Sequence, residues 1–398
     1  MTDRSSGTTV HGLAQCTRIA GVDLARGLAL LGMMAAHVFD ADEPSSVTTA
    51  AADWSVTTFA LVAGVSLALM LGGKRARRER AAVRAGIAVH AVLVAVIGLA
   101  LGSTGRADIV LPCFAVLFLL AIPLLGLRPW MLTRIAAVLL LVAPPMITAT
   151  LADAAVPRPV ENPTFATLVT DPSGLVIGVF LTGFYPVLAY LAYICAGLAI
   201  GRLDLTSVQV AYRLLLGGLA TVAMGMLWLM LPLPHQQSWM VLIHDVHALG
   251  AAIAVVGASL LVVHVPVMAR LLWPIRTAGA MPLTLYSAHV LVLVPGVLEH
   301  EPVVLFLSLV AGGLLFEVVW RALARQQQGP LEWLVGVASR RVRRAVLGPR
   351  GAEGPGSHAA HGESRQPTRR QGCRPASTVV AGSARPRPRS PHMERNDR

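Results

Sequence analysis

The sequence predicts an all-α fold: a polytopic bundle of about ten membrane-spanning helices. Three observations carry this expectation. Of 398 residues, 55% are hydrophobic and only 14% are charged, whereas a water-soluble chain carries about a quarter charged residues. Apolar runs long enough to cross a bilayer recur from Arg18 almost to Arg321. Those runs are too long, and alternation along them too weak, for the strands of a transmembrane barrel. The four cysteines, Cys16, Cys113, Cys195 and Cys373, are scattered with no Cys-x-x-Cys pair, which points to neither a zinc site nor a disulfide framework. The net charge of +12 gathers in short loops and in the tail. Topology and disorder distribute charge in this way, and nucleic-acid binding is not expected.

Residues 1–17 are polar and small and read as a short cytoplasmic lead, without the basic start joined to an apolar core that marks a signal peptide. Helix one is Arg18 to Asp40, RIAGVDLARGLALLGMMAAHVFD. A loop from Ala41 to Asp53 leads to the apolar run Val56 to Gly72, where Gly64 and Ser66 suit close helix packing. The stretch GKRARRERAAVR follows, with Lys74, Arg75, Arg77, Arg78, Arg80 and Arg84. Short loops this basic stay in the cytoplasm. Spans come next at Gly86–Gly102, Ile109–Gly126 and Met131–Leu151, the last expected to kink at Pro144–Pro145.

Ala152 to Ser173 reads as a polar outer loop. Gly174 to Gly201 is too long for one straight span, and Gly183 and Pro186 mark a broken or re-entrant start. Arg202 to Arg213 is cytoplasmic, Leu214–Leu233 crosses, and His235 to His247 is an outer loop. Ala248–Val265 returns to a side marked by Arg270 and Arg276; Ala278–Val297 and Val303–Val319 complete the bundle. This arrangement puts both termini in the cytoplasm and leaves only Arg106 and Arg158 among basic residues in the outer loops. Glu332 to Arg344 is expected to lie on the inner membrane face as an amphipathic helix, with Trp333, Leu334, Val337 and Val342 turned down. From Gly348 the chain is rich in Gly, Pro, Ser and Arg and is expected to be disordered. The divisions are thus a lead at 1–17, a transmembrane domain at 18–323, an amphipathic cytoplasmic-face helix at 324–347 and a disordered basic tail at 348–398.

Helix one carries ionisable groups on an apolar background, and such groups persist in a membrane where they meet a partner, a cavity or a substrate. Arg26 and His37 are eleven residues apart. On a helix that is about three turns, roughly 16 Å of rise and a net rotation of only about 20°, so the two share a face. Asp23 lies three residues before Arg26, within pairing distance. Glu317 should pair with Arg321 in the same way. The remaining candidates are Asp53 and Trp54 before the second span, His244, Asp245 and His247 at an outer rim, and Tyr286 with His289 on a late helix. No two of these have metal-site spacing on one helix, so no metal is expected.

Arg26, ten residues and then His37 resemble the signature of the acyltransferase type-three superfamily. The phrase DLARGLALLGMMAAHVF is still more similar to bacterial relatives of heparan-α-glucosaminide N-acetyltransferase. DWSVTTFALVAG, with Asp53 six residues before Phe59, resembles that group's second-helix pattern, and GAMPLTLYSAHVLVL resembles a late-helix motif. The resemblance extends over residues 18–335 and implies about ten helices around a central cavity. It also implies transfer of an acyl group from cytoplasmic acyl-CoA, acetyl-CoA above all, to an acceptor presented on the other face. The lysosomal enzymes carry their catalytic histidine in the loop after helix one, but residues 41–52 hold none here. The catalytic role then passes to His37.

Chemistry points to the same residue. Acyl transfer needs a group that accepts a proton from a hydroxyl or amine near neutral pH, and imidazole suits it. The roughly 16 Å between Arg26 and His37 is comparable with an extended pantetheine arm. Arg26, paired with Asp23, would hold the donor, and His37 would act as base or transient acyl carrier. Asp53, Trp54, His244, Asp245, His247, Tyr286 and His289 are the expected substrate-binding set. The acceptor would be an envelope glycan or small amphiphile at the cell membrane. Two other readings use the same residues: a small-solute transporter with a polar path, and a scaffold without chemistry, whose Asp23–Arg26 pair only closes a helix end.

Overall fold

The structure, a computed structural model, describes residues 19–39, 46–71, 76–153, 162–230, 237–298, 300–324 and 326–348. The expected lead and basic tail, together with Lys74, Arg75, Arg158 and His235, lie outside the described residues. Among the described residues every regular element is a helix. They run α1 (Ala20–Phe39), α2 (Ser46–Leu71), α3 (Arg77–Gly102), α4 (Leu111–Leu124), α5 (Pro129–Ala152), α6 (Phe165–Thr170) and α7 (Pro172–Ile177). A π turn at Gly178–Thr182 leads to α8 (Val187–Ile200), α9 (Val208–Met230), α10 (Gln237–Val262), α11 (Pro266–Leu271) and α12 (Trp273–Ala278). The series ends with α13 (Pro282–Leu293), α14 (Pro302–Ala324) and α15 (Pro330–Leu347).

Seven of these helices are long and apolar enough to cross a membrane. The segments Pro172–Thr182 and Val187–Ile200 form an eighth candidate, bent by 52° at the break where Gly183 and Pro186 stand. Leu111–Leu124 and Pro282–Leu293 are shorter apolar helices. The broken span is where the sequence puts it, and Pro186 occupies the N-cap of α8, where its fixed φ and missing N–H do no harm.

Three boundaries differ from expectation. The second helix starts at Ser46, so Asp53 is two turns inside it and not at its opening. The basic stretch is largely helical, with Arg77, Arg78, Arg80 and Arg84 on α3. The expected outer loop at 235–247 is mostly the start of α10, so His244, Asp245 and His247 are helical residues. The reason is common to all three: SVTTAAAD, RRERAAVR and QSWMVLIHD contain no Gly or Pro, and an adjoining apolar helix propagates through them at little cost. The polar stretch before Gly174 also contains the short helices α6 and α7.

Small residues bring the backbones together. On α2 and α8, a Cβ at Gly197 would collide with the Leu61 carbonyl and lie 3.0 Å from the Gly64 Cα. Helices this close gain dispersion contacts that lipid cannot match. Helix α1 is the hub: a Cβ at Gly21 would strike the Leu260 backbone of α10, and one at Gly27 the Ile275 carbonyl of α12. The outward faces of α9 and α14 expose Leu216, Leu219, Leu227, Leu307 and Leu315, an apolar belt suited to acyl chains. Helix α15 buries Val335, leaves Trp333 and Leu334 exposed, and lies along α3, where the stem of Arg343 covers Gly86.

Candidate functional site

Two bolts fix α1 to the segment that carries α13. The first is Arg26. Its guanidinium donates to Asp23 Oδ1 at 2.9 Å, to the Gly279 carbonyl at 3.1 Å and to Ser66 Oγ at 2.5 Å. The Ser66 hydroxyl donates in turn to the Val62 carbonyl at 2.7 Å. The fork of N–H groups thus ties α1, α2 and the turn before α13, in a geometry only guanidinium provides. Gly279 permits the approach, since a Cβ there would collide with the Asp23 carbonyl.

The second bolt is a pair of imidazoles. His37 Nδ1 lies 2.9 Å from His289 Nε2, and the rings stack with centroids 5.2 Å apart at 22°. Tyr286 stands edge-on to both, its centroid 5.0 Å from that of His289 and 6.1 Å from that of His37. From Arg26 to His37 is eleven residues and from Gly279 to His289 is ten. The spacing of the motif on α1 therefore matches the spacing of its partners on the α13 segment.

Hydrogen bonds order the pair. His289 is 2% exposed, and its Nδ1 faces the Leu285 carbonyl one turn earlier at 3.3 Å. A proton on that nitrogen makes Nε2 the acceptor, so His37 donates from Nδ1 and keeps a lone pair on Nε2. The tautomers are assigned from this network. His37 itself is only partly buried. The Asp108 backbone is its further hydrogen-bond partner, available once the ring carries a second proton. Tyr286 fixes that backbone: its hydroxyl accepts from the Val110 N–H at 3.2 Å and donates to the Asp108 carbonyl at 3.4 Å. Asn162 clamps the same loop, accepting from the Ile109 N–H at 2.8 Å and donating to the Ala107 carbonyl at 2.6 Å.

A second polar cluster joins α2 and α10. His244 Nε2 meets Asp53 Oδ2 at 3.0 Å, and its Nδ1 is 3.9 Å from Asp245 Oδ1. Trp54 leans on the His247 ring at 5.8 Å. His247 Nε2 and Asp245 Oδ2 are buried with no hydrogen-bond partner among the described residues. The structure thus gathers the sequence candidates into two groups, one of Tyr286, His289 and His37 and one of Asp53, Trp54, His244, Asp245 and His247, with Arg26 and Asp23 at the opposite end of α1. The expected pair Glu317–Arg321 forms at 3.0 Å. Among the described residues no group of three His, Cys, Asp or Glu side chains is placed to hold a metal ion.

Sequence reasoning missed the connecting wall. Tyr185, Tyr190 and Tyr193 pack edge to face in succession, with centroids 6.0 and 5.3 Å apart. Tyr185 is within electrostatic reach of Tyr286 and Asp108 as well as Tyr190 and Asp53, so the row runs between the two groups. Four of the chain's five tyrosines belong to this arrangement, a signal the sequence contained. It missed Asp108 and Asn162 as well, whose roles depend on loop geometry.

With a lone pair held on a half-buried imidazole and a second imidazole behind it, the first group can take a proton from a bound nucleophile and share the resulting charge. A sequence-family model described as heparan-alpha-glucosaminide N-acetyltransferase, catalytic, matches residues 18–229, more than half the chain. Comparison with curated proteins gives no match.

Proposed function

The chain belongs to the heparan-α-glucosaminide N-acetyltransferase catalytic family, and from that premise we propose that it transfers acetyl from acetyl-CoA to an amine acceptor within the membrane, with His37 as general base. The observation that carries this reading is the 2.9 Å contact between His37 and His289. It fixes the reactive ring and stabilises the charge it gains. In the transfer step, His37 Nε2 removes a proton as the acceptor nitrogen bonds to the thioester carbonyl carbon. The C–S bond then breaks, and the imidazolium returns the proton to the departing sulfur, giving an amide and free CoA thiol. His289 takes part of the imidazolium charge through the shared bond.

In this reading Arg26 is a positioning residue. Its donors are engaged by Asp23, Ser66 and Gly279, and they hold the start of α13 so that His289 meets His37. Membership in a transferase family favours this chemistry over solute transport, and the short helices α4 and α13, counted as spans, would raise the total to ten with both ends on one side. An envelope acceptor and a plasma-membrane location belong to the same proposal.

The test is acetyl transfer by the purified full-length protein in nanodiscs, followed as amine-dependent release of CoA thiol from acetyl-CoA. Loss of a positioned general base is worth roughly 10²–10⁴ in rate, so His37→Ala should fall by that factor while its elution profile stays that of wild type. Undiminished turnover in His37→Ala would remove the proposal.

A further inference from the structure

The cluster on α2 and α10 takes no part in the transfer step, and its charges do not balance. Two carboxylates, Asp53 and Asp245, share one imidazole. His244 bonds Asp53 at 3.0 Å but is 3.9 Å from Asp245, too far for a hydrogen bond. Asp245 is only 9% exposed, and its Oδ2 has no partner among the described residues. A carboxylate oxygen taken out of water without a donor is costly and calls for one from outside the chain.

The surroundings define the donor. The Tyr193 hydroxyl hydrogen-bonds the Asp245 carboxylate, which leaves Oδ2 as its open oxygen. Tyr190, within electrostatic reach of Asp245, meets the Tyr193 ring edge to face at 5.3 Å. Aromatic faces attract cations, most strongly where water is excluded. A surplus carboxylate beside two tyrosine rings suits an organic ammonium and rejects an anion. The open side of the cluster is at His244 and Trp54, 54% and 41% exposed. From there the tyrosine row leads toward Tyr286, which stands edge-on to both imidazoles.

We propose that Asp245, with Asp53, Tyr190 and Tyr193, forms an entry subsite that binds the ammonium group of the acceptor before it reaches His37. It rests on the acetyl-transfer reading only for calling that ammonium the acceptor. Amines circulate mainly as ammonium ions near neutral pH, and that form cannot attack a thioester. The subsite recognises the abundant species; one proton is released to water as the neutral amine forms, and the second passes to His37 during attack and on to the departing sulfur. No bond is made or broken at Asp245.

The experiment compares glucosamine with glucose, a pair differing by the amine, as stabilising ligands of the full-length protein in detergent by thermal-shift titration. Wild type should bind glucosamine at least tenfold more tightly than glucose. In Asp245→Asn the preference should fall to about one, and Asp245→Glu should restore part of it. The unliganded Asp245→Asn protein should melt no lower than wild type, because the substitution removes a buried charge while the amide oxygen still accepts from the Tyr193 hydroxyl. No preference in wild type, or a full preference in Asp245→Asn, overturns the subsite. Acetyl transfer on the same preparations separates the two ideas. Preference without transfer keeps the subsite and sinks the acetyltransferase reading; transfer without preference sinks the subsite alone.

Discussion

Replacing Arg26 with Met should destabilise the bundle and misplace the imidazole pair without touching either ring. Arg26 and Asp23 side chains are 17% and 16% exposed, so screening by solvent is limited. Removing one partner of a buried ion pair costs about 3–5 kcal/mol, and the exposure favours the lower end, about 3 kcal/mol. The Gly279 carbonyl loses its donor too, which adds about 1 kcal/mol. At roughly 2–4 °C per kcal/mol, the usual range for chains of 150–250 residues, the sum of about 4 kcal/mol lowers the melting temperature on the order of 10 °C. Asp23→Asn combined with Arg26→Met removes the stranded carboxylate and should recover most of that loss, which a double-mutant cycle reads directly. Arg26→Lys keeps the contact with Asp23 but cannot reach Ser66 and Gly279 together, and should fall between. The assay is thermal unfolding followed by tryptophan fluorescence, paired with kcat and KM for acetyl-CoA. If Arg26→Met melts within 2 °C of wild type while KM for acetyl-CoA rises, Arg26 is a donor ligand and the bolt is the wrong explanation.

Two further substitutions probe the frame. Glu332 reaches from α15 to the N-terminus of α13, accepting from the Thr284 N–H at 2.9 Å and from its hydroxyl at 2.5 Å. Glu332→Gln weakens this cap and should cost about 1–2 kcal/mol, seen as faster thermal inactivation at unchanged KM for acetyl-CoA; unchanged inactivation would mean α15 does not anchor α13. Gly197→Val places a branched side chain against the Leu61 carbonyl and Gly64. Its expected cost is on the order of 3 kcal/mol, read as loss of the monodisperse peak on size exclusion, and a normal peak would show that α2 and α8 can separate at no cost.

Much of this was legible in the sequence because a bilayer writes its demands in long apolar runs. The all-helical character, the break at Gly183–Pro186, and the Asp23–Arg26 and Glu317–Arg321 pairs follow from local spacing alone. The ten expected spans, in contrast, compare with seven candidate spans, or eight with the bent pair, among the described residues. Boundaries fared worse where polar residues without Gly or Pro continue a helix, as at Ser46 and Gln237. The partners of the site were hidden for a different reason. His37 and His289 are 252 residues apart, and no periodicity links positions that meet only after the bundle closes. Arg26 looked like a ligand for the donor because its spacing from His37 suits a pantetheine arm. The structure adds a competing length, the ten residues between Gly279 and His289, and engages the guanidinium with protein groups. Asp245 reads in the sequence as a substrate-binding candidate on an outer loop, and its place inside the bundle depends on α10 beginning as early as Gln237.

The shared bond between the two imidazoles is tested most directly by a double-mutant cycle on kcat with His37→Ala, His289→Ala and the double variant. A pair acting as one unit predicts that the double variant is no slower than the worse single variant, about 10²–10⁴ below wild type. Costs that multiply, with each variant contributing its own full factor, would mean that the rings act independently and that the 2.9 Å contact is packing.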